Sequence, residues 1–434
     1  MDGGNMVEYI NQPLLENDVE NIKHDSIQSQ RDDNTSNQLQ RNGNTSFSKT
    51  VFNGLNALSG VGILSVPYAL SSGGWGSLPL LFAVSMGAFY AGLLVKRCME
   101  VDPTINSFID IGDRAFGTAG RILVTMFMCA ELYLVVTGFL IVEGDNLYNL
   151  FPKMEFNIFG INFKGKKGFV ILVALLITPS VWFTNYNILS YISATGVLAS
   201  FVIILSVFCV GAFGGIGFQH KGEFFNWSGI PTSASLYGFC YCAHPVFPNL
   251  YNSMQKKHNF TKVLVICFVW MTISYSSMAI IGYLMFGSKV YPEITLNLPT
   301  NKISSRAAIY TTLVSPLSKY ALMLDPVAIA IESWFPVHHN RPFKIMIRTI
   351  IIITQVIIAL YVPFFGRLVS LVGAFLSVTA SITLPCLCYL KISGNNVGYE
   401  KVLVVGVIIS SLLIAIFGTY TTLVQLIYGV AMPI

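Results

Sequence analysis

Three ionisable side chains stand inside long apolar stretches of this chain: Glu131, His244 and Lys319. A charge near the centre of a bilayer costs about 2.5–3.5 kcal/mol on insertion scales, so each is expected to face protein and to have a task there. Carboxyl, imidazole and amine groups in such surroundings either exchange protons or serve as fixed structural partners. Glu131 and Lys319 are therefore read as proton-coupling groups or as a buried ion pair with each other. His244 is a rival proton carrier, or else a neutral donor to a backbone carbonyl. Asp325 is expected to mark a helix end, and Glu143 and Asp145 are expected at the membrane interface. Ser59, Ser65, Asn56, Ser315 and Ser318 offer the oxygens a Na⁺ site needs, although hydroxyls also bond commonly within membrane helices.

Backbone atoms offer the second kind of chemistry. "GVGILSVP" (60–67) and "GFCYCAHPVFP" (238–248) lie in hydrophobic segments yet carry residues that damage helices. Each interior Gly costs roughly 1 kcal/mol against Ala, and an interior Pro about 3. Irregular backbone at membrane depth is tolerated only where it is buried in protein or lines a wet cavity. A broken helix bares amide N–H groups on one side and carbonyls on the other, ends that attract an anion and a cation respectively. An α-amino acid carries both charges within a few ångströms. Its carboxylate is expected at amides near Gly60–Leu64 and its ammonium at carbonyls around Cys240–Ala243, so Ser59, Gly60, Val61, Gly62, Ile63, Leu64, Ser65, Cys240, Tyr241 and Ala243 are candidate substrate-binding residues. Tyr133 and Tyr241 are candidate walls, and Pro67 is expected to start the outer half-helix. The plain alternative is a pair of proline kinks with glycines for close packing.

These groups have to be positioned by membrane helices. The chain has 434 residues, 53% hydrophobic and only 11% charged, against about 25% charged in soluble domains. Its mean hydropathy is +0.63. We delimit eleven apolar segments: 49–71, 75–98, 121–143, 168–185, 188–212, 232–254, 263–286, 307–332, 346–365, 368–390 and 402–425. Each is long enough, or nearly so, for a hydrocarbon core that takes about 20 residues. The interrupted segments are the first and sixth. Five spans apart, they cross in opposite directions, the arrangement of an inverted repeat with a binding site between its halves. The expected division is a disordered cytosolic tail 1–48 and a transmembrane domain 49–425. That domain splits into repeats 49–212 and 232–390 and an extra helix 402–425. Sixteen Lys and Arg flank the tail side of the segments and nine the other, which places the tail in the cytosol.

No basic run with interleaved aromatics is present, so nucleic acid is not an expected partner. The eight cysteines all fall in or beside apolar segments, an unlikely disulfide framework. Neither metal-ligand spacing nor a nucleophile–base constellation appears, so no cofactor, metal or enzymatic reaction is expected.

"FNGLNALSGVGILSVPYALSSGGW" (52–75) resembles the first membrane segment of the amino acid/auxin permease family, in its vacuolar amino acid transporter branch. "ELYLVVTGFLIVEGDNL" (131–147), "FTNYNILSYIS" (183–193), "YCAHPVFPNLYNSM" (241–254) and "SPLSKYALMLDPVA" (315–328) extend the resemblance across 48–424. It implies an all-α LeuT-type fold, a 5+5 inverted repeat of about eleven helices with helices 1 and 6 interrupted. It also implies secondary active transport of amino acids, usually coupled to protons, with H⁺ antiport across the vacuolar membrane favoured. The same resemblance leaves open a plasma-membrane amino acid or auxin symporter. A sensor using the same pocket, with the tail engaging cytosolic partners, is the remaining alternative.

Overall fold

The computed structural model describes residue 43 and residues 45–158, 161–163, 165–182, 186–332, 334–335, 340–362, 365–394 and 398–428. The proposed tail lies outside the described residues up to 42, as do residue 44 and part of the short break after the fourth apolar segment. Among the described residues the chain is helical apart from one small hairpin. The first half contains α1 (Phe47–Leu58), α2 (Gly62–Gly73), α3 (Leu78–Val101), α4 (Phe108–Leu150), α5 (Lys166–Trp182) and α6 (Tyr186–Phe213). The second contains α7 (Ile230–Cys240), α8 (Phe247–Ser253), α9 (Phe260–Phe286), α10 (Ile303–Glu332), α11 (Arg341–Tyr361), α12 (Phe365–Leu371) and α13 (Leu384–Ile392), with α14 (Gly398–Ile427) last.

Among the described residues eight helices are individually long and apolar enough to cross a membrane, and nine spans result if the bent pair α1–α2 counts as one. The remaining two of the eleven expected segments take other forms. One is α5, a helix of 17 residues; the other is the pair of short helices α7 and α8. The hairpin was not expected. Its strands β1 (Phe156–Ile158) and β2 (Ile161–Phe163) pair antiparallel with Phe156 opposite Phe163.

Both interruptions exist, with different local causes. α1 ends where the Gly60 amide turns back to the Leu58 carbonyl at 2.8 Å; α2 starts at Gly62, and the two axes meet at 50°. Pro67 does not start the outer half-helix but lies inside it. Its ring packs instead on α9, where a Cβ on Gly282 would stand 2.6 Å from Pro67 Cβ. In the second break α7 stops at Cys240, a 3₁₀ turn follows at His244–Val246, and α8 begins with Pro248 in its first turn. A missing N–H costs nothing there, because first-turn amides have no helical partner.

α12 and α13 form one span, Phe365–Ile392, joined through π-helical stretches Val372–Ser377 and Thr379–Thr383. Such turns often mark functional sites. Gly373 brings this span onto α7, since a Cβ there would lie 2.9 Å from Phe239 Cβ.

Contacts between distant segments define two ends. At one, Thr45 bridges Met254, Asn252 donates to the Asn106 carbonyl, and Arg97 pairs with Glu400. At the other, the Trp75 and Gly76 amides donate to the Glu223 and Phe224 carbonyls, and Lys166 pairs with Asp145. The first end carries the chain's N-terminal side.

Candidate functional site

The two breaks meet. Gly62 lies against Cys240, so that a Cβ at Gly62 would stand 2.8 Å from Cys240 Sγ and 3.2 Å from its Cα. Its small size thus admits the partner helix. Gly60 is the glycine with space beside it: a Cβ there would meet nothing nearer than 3.9 Å. Among the described residues the Val61 and Gly62 amides have no backbone acceptor, the expected property of a half-helix start.

The carbonyls freed by the first break are claimed by side chains. Lys319 of α10 donates to the Ser59 carbonyl and reaches Ser59 Oγ at 3.1 Å. An ammonium at the C-terminal end of a half-helix sits where the helix dipole favours positive charge. The Tyr275 hydroxyl of α9 lies 2.6 Å from the Leu58 carbonyl and 3.1 Å from that of Cys240. One O–H donates to only one acceptor at a time, so it shares its proton between the two broken helices. Sequence reasoning missed Tyr275, which looks like any other aromatic in an apolar segment.

Glu131 is buried in α4, and among the described residues no donor meets either carboxyl oxygen in good hydrogen-bond geometry. The expected Glu131–Lys319 hydrogen-bonded pair is therefore not formed; Lys319 is drawn to the break instead. Ser377 of the first π-helical stretch and Cys242 of the second break face Glu131. His244 takes the structural option: its Nε2 lies 2.7 Å from the Ala88 carbonyl on α3, to which it donates. Its Nδ1 has no partner. Tyr241 is buried, stacks on Phe268 at 5.8 Å and lies 3.0 Å from Thr272 Oγ1, which meets Ser85 Oγ at 2.6 Å.

Of the other expected residues, Tyr133 donates to Thr354 of α11 at 2.8 Å. Asp325 is no helix end: it lies within α10, buried, 2.8 Å from an Arg348 nitrogen, while Arg348 also holds Glu332 at 2.9 Å. Glu143 is buried within the protein. Ser65 is buried with its hydroxyl unpartnered, whereas the side chains of Ser315 and Ser318 lie outside the described residues.

The geometry is that of two interrupted helices brought together at Gly62 and Cys240. Residues 43–424 match the family described as transmembrane amino acid transporter protein. The chain belongs to the transmembrane amino acid transporter family. Amino acid transporter AVT1J of Arabidopsis thaliana is 56% identical over 383 residues, 87% of this chain and 90% of that protein. Amino acid transporter AVT1I of the same plant is 53% identical over 92% of this chain and the whole of that protein. Among solved structures, MhsT in complex with L-phenylalanine aligns with a TM-score of 0.58 at 13% identity, over 87% of this chain and 99% of that one. A Na⁺-coupled sialic acid symporter aligns at 0.56 and 12% over 88% of each chain. The likeness to these two structures shows a shared all-helical LeuT-type transporter fold.

Proposed function

We propose that this transporter moves L-amino acids by alternating access in exchange for protons, loading an acidic vacuole. The observation that carries the reading is the first break. Its amides at Val61 and Gly62 are left for an anionic group, while its carbonyl end is already held by the Lys319 ammonium. A substrate carboxylate then has donors waiting beside Gly60, where the backbone is open to it. Loss of the Lys319 proton weakens the tie between α10 and α1, so protonation and helix movement are linked through one contact. Glu131, facing the second break and Ser377, is the second proton-coupling group. His244 anchors α8's turn to α3. The relatives' names as amino acid transporters and the bound amino acid of MhsT support the substrate class.

We assign residues 49–212 and 232–390 as two inverted repeats, 402–425 as an added helix, and 1–48 as a cytosolic tail. The membrane is assigned as vacuolar.

The test is uptake into proteoliposomes with an imposed pH gradient, screened across the amino acids with and without Na⁺. Vesicles acidic inside should accumulate substrate independently of Na⁺, and Lys319→Met should abolish the dependence on the gradient. Uptake driven by Na⁺ alone, or indifferent to the pH gradient, would refute proton exchange.

A further inference from the structure

Away from the breaks, at the end of the molecule opposite the N-terminal side, three carboxyl groups meet. Glu143 and Asp145 come from the last turns of α4, and Glu293 from the segment joining α9 to α10. Glu143 and Glu293 are each 1% exposed. No N–H or hydroxyl donor reaches Glu143 Oε1 or Glu293 Oε2, although both atoms are fully buried. The Asp145 and Glu293 carboxyls face each other within hydrogen-bonding reach, and the charge of Glu293 also acts on Glu143. Ionised carboxylates are acceptors only, so the Asp145–Glu293 contact requires a proton between them. Lys166 at the start of α5 is the cation facing the group, 3.0 Å from Asp145. From α2 and α10, which pack on the same segment, no ionisable group acts on the three carboxyls among the described residues.

We propose that Glu143, Asp145 and Glu293 form a proton-binding site of their own, distinct from the central breaks, whose occupancy holds this end of the transporter closed. With its proton, the site ties α4 to the segment that packs on α2, the outer half of the first broken helix. Without it, three negative charges face one ammonium in a buried place, and the segment is driven away from α4. Burial, and then the nearby Asp145, raise Glu293 well above the ordinary carboxylate range. The site rests on the transport reading only in supposing that this end opens and closes. On the acidic side of a membrane it would take up protons and favour closure after substrate has left.

Opening can be read without transport. Ser233 of α7 is fully buried against α2, donating to the Ala69 carbonyl at 2.7 Å, so Ser233→Cys reports separation of the outer half-helices. In reconstituted protein without a pH gradient, maleimide labelling of that cysteine, corrected for thiolate content, should rise from pH 5 to pH 8. The limit is about tenfold per pH unit for one linked proton. Glu293→Gln, which mimics the protonated acid, should hold labelling at the pH 5 level throughout. Lys166→Met should move the rise to higher pH, an effect that misfolding would not produce. An unchanged profile in both variants would overturn the proposal, and so would a profile set by Na⁺ concentration instead of pH. If proton-driven uptake fails while this profile holds, the coupling reading falls and the site stands.

Discussion

The break between α1 and α2 leaves two amides without a backbone acceptor among the described residues, whereas the break between α7 and α8 is packed with its own side chains. Beside Gly60 there is open space, and the amides of Val61 and Gly62 await an acceptor. In the second break Tyr241 is stacked on Phe268, His244 is tied to Ala88, and Ala243 is buried. Both interruptions bare polar backbone; at the first the Val61 and Gly62 amides have no backbone acceptor among the described residues, while at the second the Tyr241 and His244 side chains are tied to their neighbours. On the proposed transport reading, the first receives a ligand group and the second holds the geometry against which it moves. Tyr275 and Cys240 join the two.

The largest effect that tests this division is at Gly62. Valine there would drive methyl groups into Cys240, whose Cα as well as Sγ lies in the way. Overpacking of this kind costs about 1–3 kcal/mol and here would force the two breaks apart. Gly62→Val should abolish uptake, and adding Cys240→Ala should restore part of it. Gly60→Ala, meeting open space, should fold normally and raise KM by occupying room meant for the substrate carboxylate. If Gly62→Val transports like the wild type, the breaks do not depend on their close approach. If Gly60→Ala leaves KM unchanged, the first break is not where the carboxylate sits.

A middling effect is expected at Tyr275. Phenylalanine keeps the ring but leaves the Leu58 and Cys240 carbonyls sharing no hydroxyl. Losing a buried partner costs about 1–3 kcal/mol. Tyr275→Phe should lower the Tm of detergent-purified protein and slow exchange several-fold, with both breaks loosened together. A change in KM alone, at unaltered Tm, would mean the hydroxyl serves substrate instead of joining the helices.

How much of this was legible beforehand follows from what local sequence can carry. Gly60, Gly62, Pro245 and Pro248 announce the interruptions because a helix cannot hide its breakers. Pro67 misled, because a proline marks helix starts only where its missing N–H is not wanted, and here the glycines had already ended α1. The partner of Lys319 was illegible: Ser59 is 260 residues away, and a nearer-looking opposite charge, Glu131, drew the expectation. The burial of Glu143 was not legible, because hydropathy falls at "EGDN" while the helix runs on to Leu150 and its carboxylates meet residues from two distant segments. The π-helical stretches 372–377 and 379–383 were not anticipated, although Gly373 within the first of them packs onto α7.

The smallest effect concerns whether the second break is passive. Tyr241 reaches Thr272, and Thr272 keeps Ser85 as a partner at 2.6 Å when the phenol oxygen is gone. Tyr241→Phe therefore orphans no buried group that lacks a second partner and retains the stacking on Phe268 and the edge contact with Tyr275. The cost should be no more than about 0.5–1.5 kcal/mol, the net worth of one hydrogen bond. Transport should stay near the wild-type rate with KM unchanged, and only the Tm should fall slightly. Measured beside Tyr275→Phe, this variant separates a hydroxyl that joins the two breaks from one that only braces the second. A loss of transport as deep as that of Tyr275→Phe, at a similar Tm, would show that the second break takes part in binding and that the asymmetry between the two is wrong.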